Sequence, residues 1–114
     1  MLPRLIGLSA ALDLLFSART IGAVEALRLG LVNRVFALDS FMEEVRTHAK
    51  ELATQVSPRS MAAIKQQVYR AIFQTLEEAT VSAEQAMLES LASEDFKEGV
   101  AHFREKRAPN FTGK

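Results

Sequence analysis

Arg19-Thr20-Ile21-Gly22-Ala23-Val24-Glu25-Ala26-Leu27-Arg28-Leu29-Gly30-Leu31-Val32-Asn33-Arg34-Val35 is the stretch from which the rest of the chain can be read. Gly22 opens a short helix, and Glu25 stands in its first turn, where a carboxylate meets the positive end of the helix dipole. Gly30 ends the helix, because glycine enters the left-handed C-cap conformation without steric cost. Val32 to Phe36 is β-branched and aromatic and predicts one short strand. Upstream, Leu2-Pro3-Arg4-Leu5-Ile6-Gly7 reads as a turn of helix stopped by glycine. Leu8 to Ser17 reads as a second helix, with Leu8, Leu12, Leu15 and Phe16 on one side.

Downstream, Asp39 or Ser40 caps a long helix, and Ser40 with Glu43 has capping-box spacing. Phe41, Val45, Ala49 and Leu52 give that helix an apolar stripe. Ser57-Pro58 restarts the chain with serine at N-cap and proline at N1, where no amide donor is needed. The next helix presents Met61, Ile64, Val68 and Ile72. Thr75 with Glu78 forms another capping box, followed by Leu76, Ala79, Ala83, Met87 and Leu91. Ser93 caps the last helix, with Glu94 and Asp95 at its positive end and Lys106 and Arg107 at its negative end. Pro109 marks its stop, and the tail after Arg107 is expected to fray unless a partner holds it. The pattern predicts a mainly α chain of about six helices with at most one short strand; short connections make successive later helices antiparallel.

The 114 residues match one small domain, and 48% hydrophobic content supplies a modest core. Fourteen basic and 14 acidic side chains cancel, which argues against nucleic-acid binding and favours association. The absence of cysteine excludes disulfides and thiolate metal sites. Arg4 and the apolar run to Phe16 imitate a signal peptide, but Asp13 interrupts the run and Phe16-Ser17-Ala18 is a poor cleavage site. No stretch is apolar enough to span a bilayer, so a soluble, cytoplasmic protein is expected. His48 and His102 lack metal-ligand spacing and read as structural or surface residues. Gly7-Leu8-Ser9-Ala10-Ala11 lacks the second glycine and preceding strand of a nucleophile elbow. The pairs Glu43-Glu44, Glu77-Glu78 and Glu94-Asp95 read as caps and dipole partners rather than acid/base pairs. Arg4, Arg19 and Arg34 are expected in surface salt bridges, and Tyr69 and Phe73 mark a packing face.

The Leu-Pro-Arg segment, the Arg19 to Val35 segment and the ending from Ser93-Glu94-Asp95-Phe96-Lys97-Glu98-Gly99-Val100 through Phe103-Arg104-Glu105-Lys106-Arg107-Ala108-Pro109-Asn110-Phe111 together resemble the C-terminal part of the enoyl-CoA hydratase/isomerase (crotonase) superfamily. The resemblance runs from Leu2 to Phe111. It implies the helical C-terminal region of a crotonase-like fold, in which residues 1–36 are the end of the core around the acyl pocket and residues 37–114 a helical oligomerisation and CoA-capping region. Family members bind acyl-CoA, hold the thioester oxygen with two backbone amides and, in hydratases, use two glutamates on water and proton. Those groups belong to segments preceding Leu2, so no catalytic residue is carried over. Gly22 stands where the family usually has a small hydroxyl residue, and glycine caps nearly as well. Met1 directly before Leu2-Pro3-Arg4 is expected of a shortened gene product or of an expressed form that begins mid-domain.

Two groups of site residues follow from the resemblance. Phe103 and Lys106 match the final-helix pair that approaches the adenosine and phosphate end of CoA. Three-residue spacing places such a pair on one helix face, and a lysine suits phosphate. Leu12, Leu15 and Phe16 match the helix bordering the acyl-chain pocket. The resemblance thus implies a fragment of acyl-CoA (fatty acid) metabolism, related to lyases and isomerases, with acyl-CoA as substrate class, no metal and no other cofactor. Alternatives are half of a split hydratase completed in trans, or a helical interaction module without CoA binding. Apolar helix faces without their core predict a homo-oligomer, dimeric or higher, with possible helix exchange and neither nucleic-acid nor membrane partners.

Overall fold

A computed structural model describes all 114 residues. Seven helices follow one another: α1 (Leu2–Ile6), α2 (Leu8–Ser17), α3 (Ala23–Arg28), α4 (Phe41–Gln55), α5 (Pro58–Ala71), α6 (Leu76–Leu91) and α7 (Glu94–Glu105). No helix is long and apolar enough to cross a membrane. The chain divides into two units, Met1–Glu44 and Val45–Lys114.

In the first unit α1 packs on α2. Gly30 closes α3 with φ 76°. Its amide donates to the Leu27 carbonyl at 3.0 Å and the Leu31 amide to the Ala26 carbonyl at 2.9 Å, the paired bonds of a Schellman cap. The strand expected over Val32 to Phe36 does not form; the segment is a loop. Its residue types suit a pleated surface, but this preference is expressed through pairing with another strand, and no other segment here is a strand. Arg19 ties α2 to α3, donating to Asp13 at 3.1 Å and to Glu25 at 2.7 Å. The arginine holds the Glu25 carboxyl below its ordinary range. Arg34, also expected to pair, forms no ion pair.

In the second unit α5 packs on α6 and α6 on α7. Arg59, in the first turn of α5, donates to the Ser90 hydroxyl near the end of α6 at 3.0 Å, so these two helices run antiparallel. The Ser57 hydroxyl accepts from the Ser60 amide at 3.1 Å and the Ser93 hydroxyl from the Phe96 amide at 3.1 Å. Thr75 and Glu78 form the full reciprocal capping box. The box expected of Ser40 and Glu43 is replaced: the Ser40 hydroxyl turns back to the Ala37 carbonyl at 3.5 Å, and its amide donates to Asp39.

Of the apolar stripes of the sequence, Met61 on α5 and Ala79 on α6 are half-buried and the rest stay exposed. Half-buried positions on α5 are Arg59, Ser60, Met61, Ala63 and Gln67, and on α6 Ala79, Ser82, Ala86 and Ser90. Ile64, Val68 and Ile72 on α5, and Leu76, Met87 and Leu91 on α6, remain exposed. The only buried apolar side chains are Ala11 and Ala26. The hydrophobic effect leaves isolated apolar residues on any surface, but a run of large ones along successive helices marks faces shaped for contact.

Candidate functional site

The residues expected along an acyl chain lie on one exposed side of α2. Leu12, Leu15 and Phe16 are 37%, 61% and 83% exposed, whereas Ala11 on the same helix is wholly buried. α2 therefore turns its small residue inward and offers its large ones outward. It ends at Ala18 with φ 49°, whose amide reaches the Leu14 carbonyl at 3.0 Å.

Phe103 and Lys106 stand at the end of α7. Phe103 is 80% exposed and Lys106 is exposed without an ion-pair partner. The spacing argument holds only in part, because Lys106 is no longer helical. It adopts a left-handed conformation, φ 52° and ψ 40°, and caps α7 with its amide on the His102 carbonyl. The Arg107 amide reaches the same carbonyl at 3.2 Å. The residues flanking Lys106 pair across it, Arg107 Nε donating to Glu105 Oε2 at 2.6 Å.

The tail beyond Arg107, expected to fray, is bound back onto α7 by two carboxylates that the sequence had suggested only as dipole partners or not at all. Glu98 receives both guanidinium nitrogens of Arg107, Nη2 to Oε2 at 2.8 Å, and the Asn110 amide at 2.6 Å. The Arg107 guanidinium, followed by the Asn110 amide, draws the Glu98 carboxyl down to about 2. Asp95 is 5% exposed. Its Oδ1 accepts the Thr112 and Gly113 amides at 2.8 and 3.0 Å, and its Oδ2 accepts the Ser57 hydroxyl at 2.5 Å. Burial by itself would raise the Asp95 carboxyl; the donors from Ser57, Thr112, Gly113 and Arg59 outweigh it and hold the group below its ordinary value. The Asp95 amide in turn donates to the Lys114 carbonyl at 3.0 Å. Phe111 sets its ring edge-on to His102, centroids 5.9 Å apart. Gly113 has φ 81°, and a Cβ there would meet Pro58 at 3.3 Å, so neither conformation nor space admits another residue easily. The one sequence signal that could have found this latch is Phe111, a large apolar side chain uncharacteristic of a solvated tail.

An open groove of about 410 Å³ lies beside the latch, lined in part by Ser57, Ser60, Asp95, Phe96 and Phe111. Asp95 is the one carboxylate lining it, and both its oxygens are engaged. Glu78 serves a cap, Glu94 pairs with Lys97 at 2.6 Å, and Glu43 and Glu44 are exposed on α4. The Glu78 carboxyl is drawn low by the Thr75 amide and hydroxyl. Each carboxylate pair is thus occupied or solvated.

Residues 1–114 match the family model for enoyl-CoA hydratase/isomerase. A probable enoyl-CoA hydratase of Mycobacterium bovis is 40% identical over 111 residues, 97% of this chain and 43% of that protein. A 4-chlorobenzoyl coenzyme A dehalogenase of an Arthrobacter species is 34% identical over 105 residues, 92% of this chain and 38% of that protein. The crystal structure of a probable enoyl-CoA hydratase/isomerase from Mycobacterium abscessus superposes with a TM-score of 0.93 at 29% identity, over 99% of this chain and 44% of that one. The chain spans less than half the length of these relatives.

Proposed function

The chain belongs to the enoyl-CoA hydratase/isomerase family, and from that premise we propose that it is the helical C-terminal part of an acyl-CoA-handling protein, supplying packing surface and the nucleotide end of the CoA site rather than reactive groups. The observation that carries this reading is the open apolar side of every major helix in a chain that spans under half of its relatives. Leu12, Leu15 and Phe16 fit the wall of an acyl pocket whose other side comes from the remainder of such a fold. Phe103 offers an aromatic face and Lys106 an unpaired ammonium to a nucleotide and its phosphates. A hydratase and a dehalogenase both stand among the relatives, so this segment by itself does not fix the reaction type.

Titration calorimetry with CoA tests the reading: saturable binding is expected, weakened in Lys106→Ala. No binding by the wild-type chain would favour a helical interaction module instead. The exposed stripes of α5 and α6 also suit self-association, with exchanged helices as one route. Sedimentation should show a dimer or larger; a compact monomer at high concentration would rule this out. A split enzyme completed in trans predicts that adding the family's core segment as a second polypeptide brings hydration activity.

A further inference from the structure

Lys106 occupies a left-handed helix-end conformation that its side chain disfavours; Ala18 ends α2 in the same way, and what sets Lys106 apart is what surrounds it. Here the surroundings are the tail. Arg107 is gripped by Glu98 through two bonds and by Glu105 through a third. Arg107 Nη1 also donates to the Ala108 carbonyl at 3.1 Å, and His102 Nδ1 lies 3.3 Å from the Arg107 carbonyl. Further along, Asn110 is held by Glu98, and Thr112 and Gly113 by Asp95. The tail is anchored at both ends to α7, and the left-handed turn at Lys106 joins helix to tail.

We infer that residues 107–114 are a positioning strap for the Phe103–Lys106 pair, and that Glu98 is its positioning residue: by fixing Arg107 and Asn110 it sets the turn from which the Lys106 ammonium meets a phosphorylated nucleotide. This rests on the proposed CoA reading. Glu98 itself touches no ligand. Its carboxylate is spent on the tail, and a negative charge there would repel phosphate if it were free. Arg107 is shared between Glu98 and Glu105, a cluster of net −1, and Lys106 and Arg104, neither of which is in an ion pair, bring the end of α7 to a net positive charge. Without the strap the turn is free to relax to less strained conformations, and the point from which the lysine side chain leaves the backbone is no longer fixed.

The test uses the full chain and two probes, adenosine 3′,5′-bisphosphate for the nucleotide end and pantetheine for the remainder, with affinities from NMR titration. Glu98→Ala should weaken the bisphosphate at least fivefold and leave pantetheine unchanged. Glu98→Gln keeps an acceptor for the Asn110 amide and should lose less. The Asn110 amide should exchange faster with solvent in Glu98→Ala, and by a smaller factor in Glu98→Gln, while the capped first turn of α6 stays protected. Wild-type affinity in Glu98→Ala, with Lys106→Ala still impaired, would overturn the strap while leaving the CoA reading intact. Failure of the wild-type chain to bind the bisphosphate would overturn the CoA reading and the strap with it. If Glu98→Ala does not fold, Glu98→Gln decides alone: bisphosphate affinity equal to wild type with a freed Asn110 amide refutes the inference.

Discussion

Replacing Lys106 with glycine should make the chain more stable and a poorer ligand for CoA in the same step. Lys106 sits at φ 52°, ψ 40°. A side chain in that region costs about 1–2 kcal/mol. Glycine removes the cost but gains freedom in the unfolded chain, worth about 0.4–1 kcal/mol in the opposite direction. The difference is a net stabilisation of roughly 0.8 kcal/mol, or about 3 °C in Tm for a domain of this size. Lys106→Ala is the control, because alanine keeps the strained backbone and lacks the ammonium. Thermal melts by circular dichroism and CoA titrations on the three proteins would separate the effects. Lys106→Gly should melt higher than wild type, Lys106→Ala close to it, and both should bind CoA more weakly. If Lys106→Gly melts below wild type, the left-handed turn is not a strained one; if it binds as tightly, the ammonium has no part in the contact.

Gly30→Ala should cost about 1 kcal/mol, seen as a lower melting temperature. The nearest atom to a Cβ there is the Leu5 carbonyl oxygen at 3.9 Å, so the cost is conformational, and an unchanged melt would contradict the Schellman cap. Thr75→Ala removes the hydroxyl of the capping box and should cost about 1 kcal/mol, with Thr75→Ser restoring most of it. The tail should be pH-sensitive. Glu98, at about 2, and Asp95, also lowered, contribute stability that is complete above the ordinary carboxylate range and lost as pH falls through their folded values. Amide exchange at Asn110, Thr112 and Gly113 should therefore show constant protection from about pH 7 to 5 and a loss between about pH 4 and 2; release above pH 5 would refute the carboxylate latch.

Features governed by neighbours along the chain were legible from residue type. Gly30 at a C-cap, Ser57-Pro58 at a helix start and Thr75 with Glu78 each act within one turn, and each stands where its chemistry put it. Features that depend on a distant partner were not. The stripe Ile64, Val68, Ile72 shows that α5 has a face made for burial, but periodicity cannot say that these residues stay exposed while Ser60, Ala63 and Gln67 are half-buried. Val32 to Phe36 carried strand propensity and had no strand to pair with. Asp95 looked like any acidic residue in a first helical turn; its partners Thr112 and Gly113 lie beyond the end of α7, and only folding brings them together. The family motifs located Phe103 and Lys106 but not the left-handed backbone that orients the lysine.

Hydration of crotonyl-CoA by the purified chain, followed by loss of the conjugated thioester's ultraviolet absorbance, tests the account most directly. The carboxylates here are committed to caps, ion pairs and the tail or are exposed to solvent, so the rate should equal that of buffer at every chain concentration. Turnover that rises in proportion to the chain would mean that these 114 residues assemble a reactive centre of their own, and the account would be wrong.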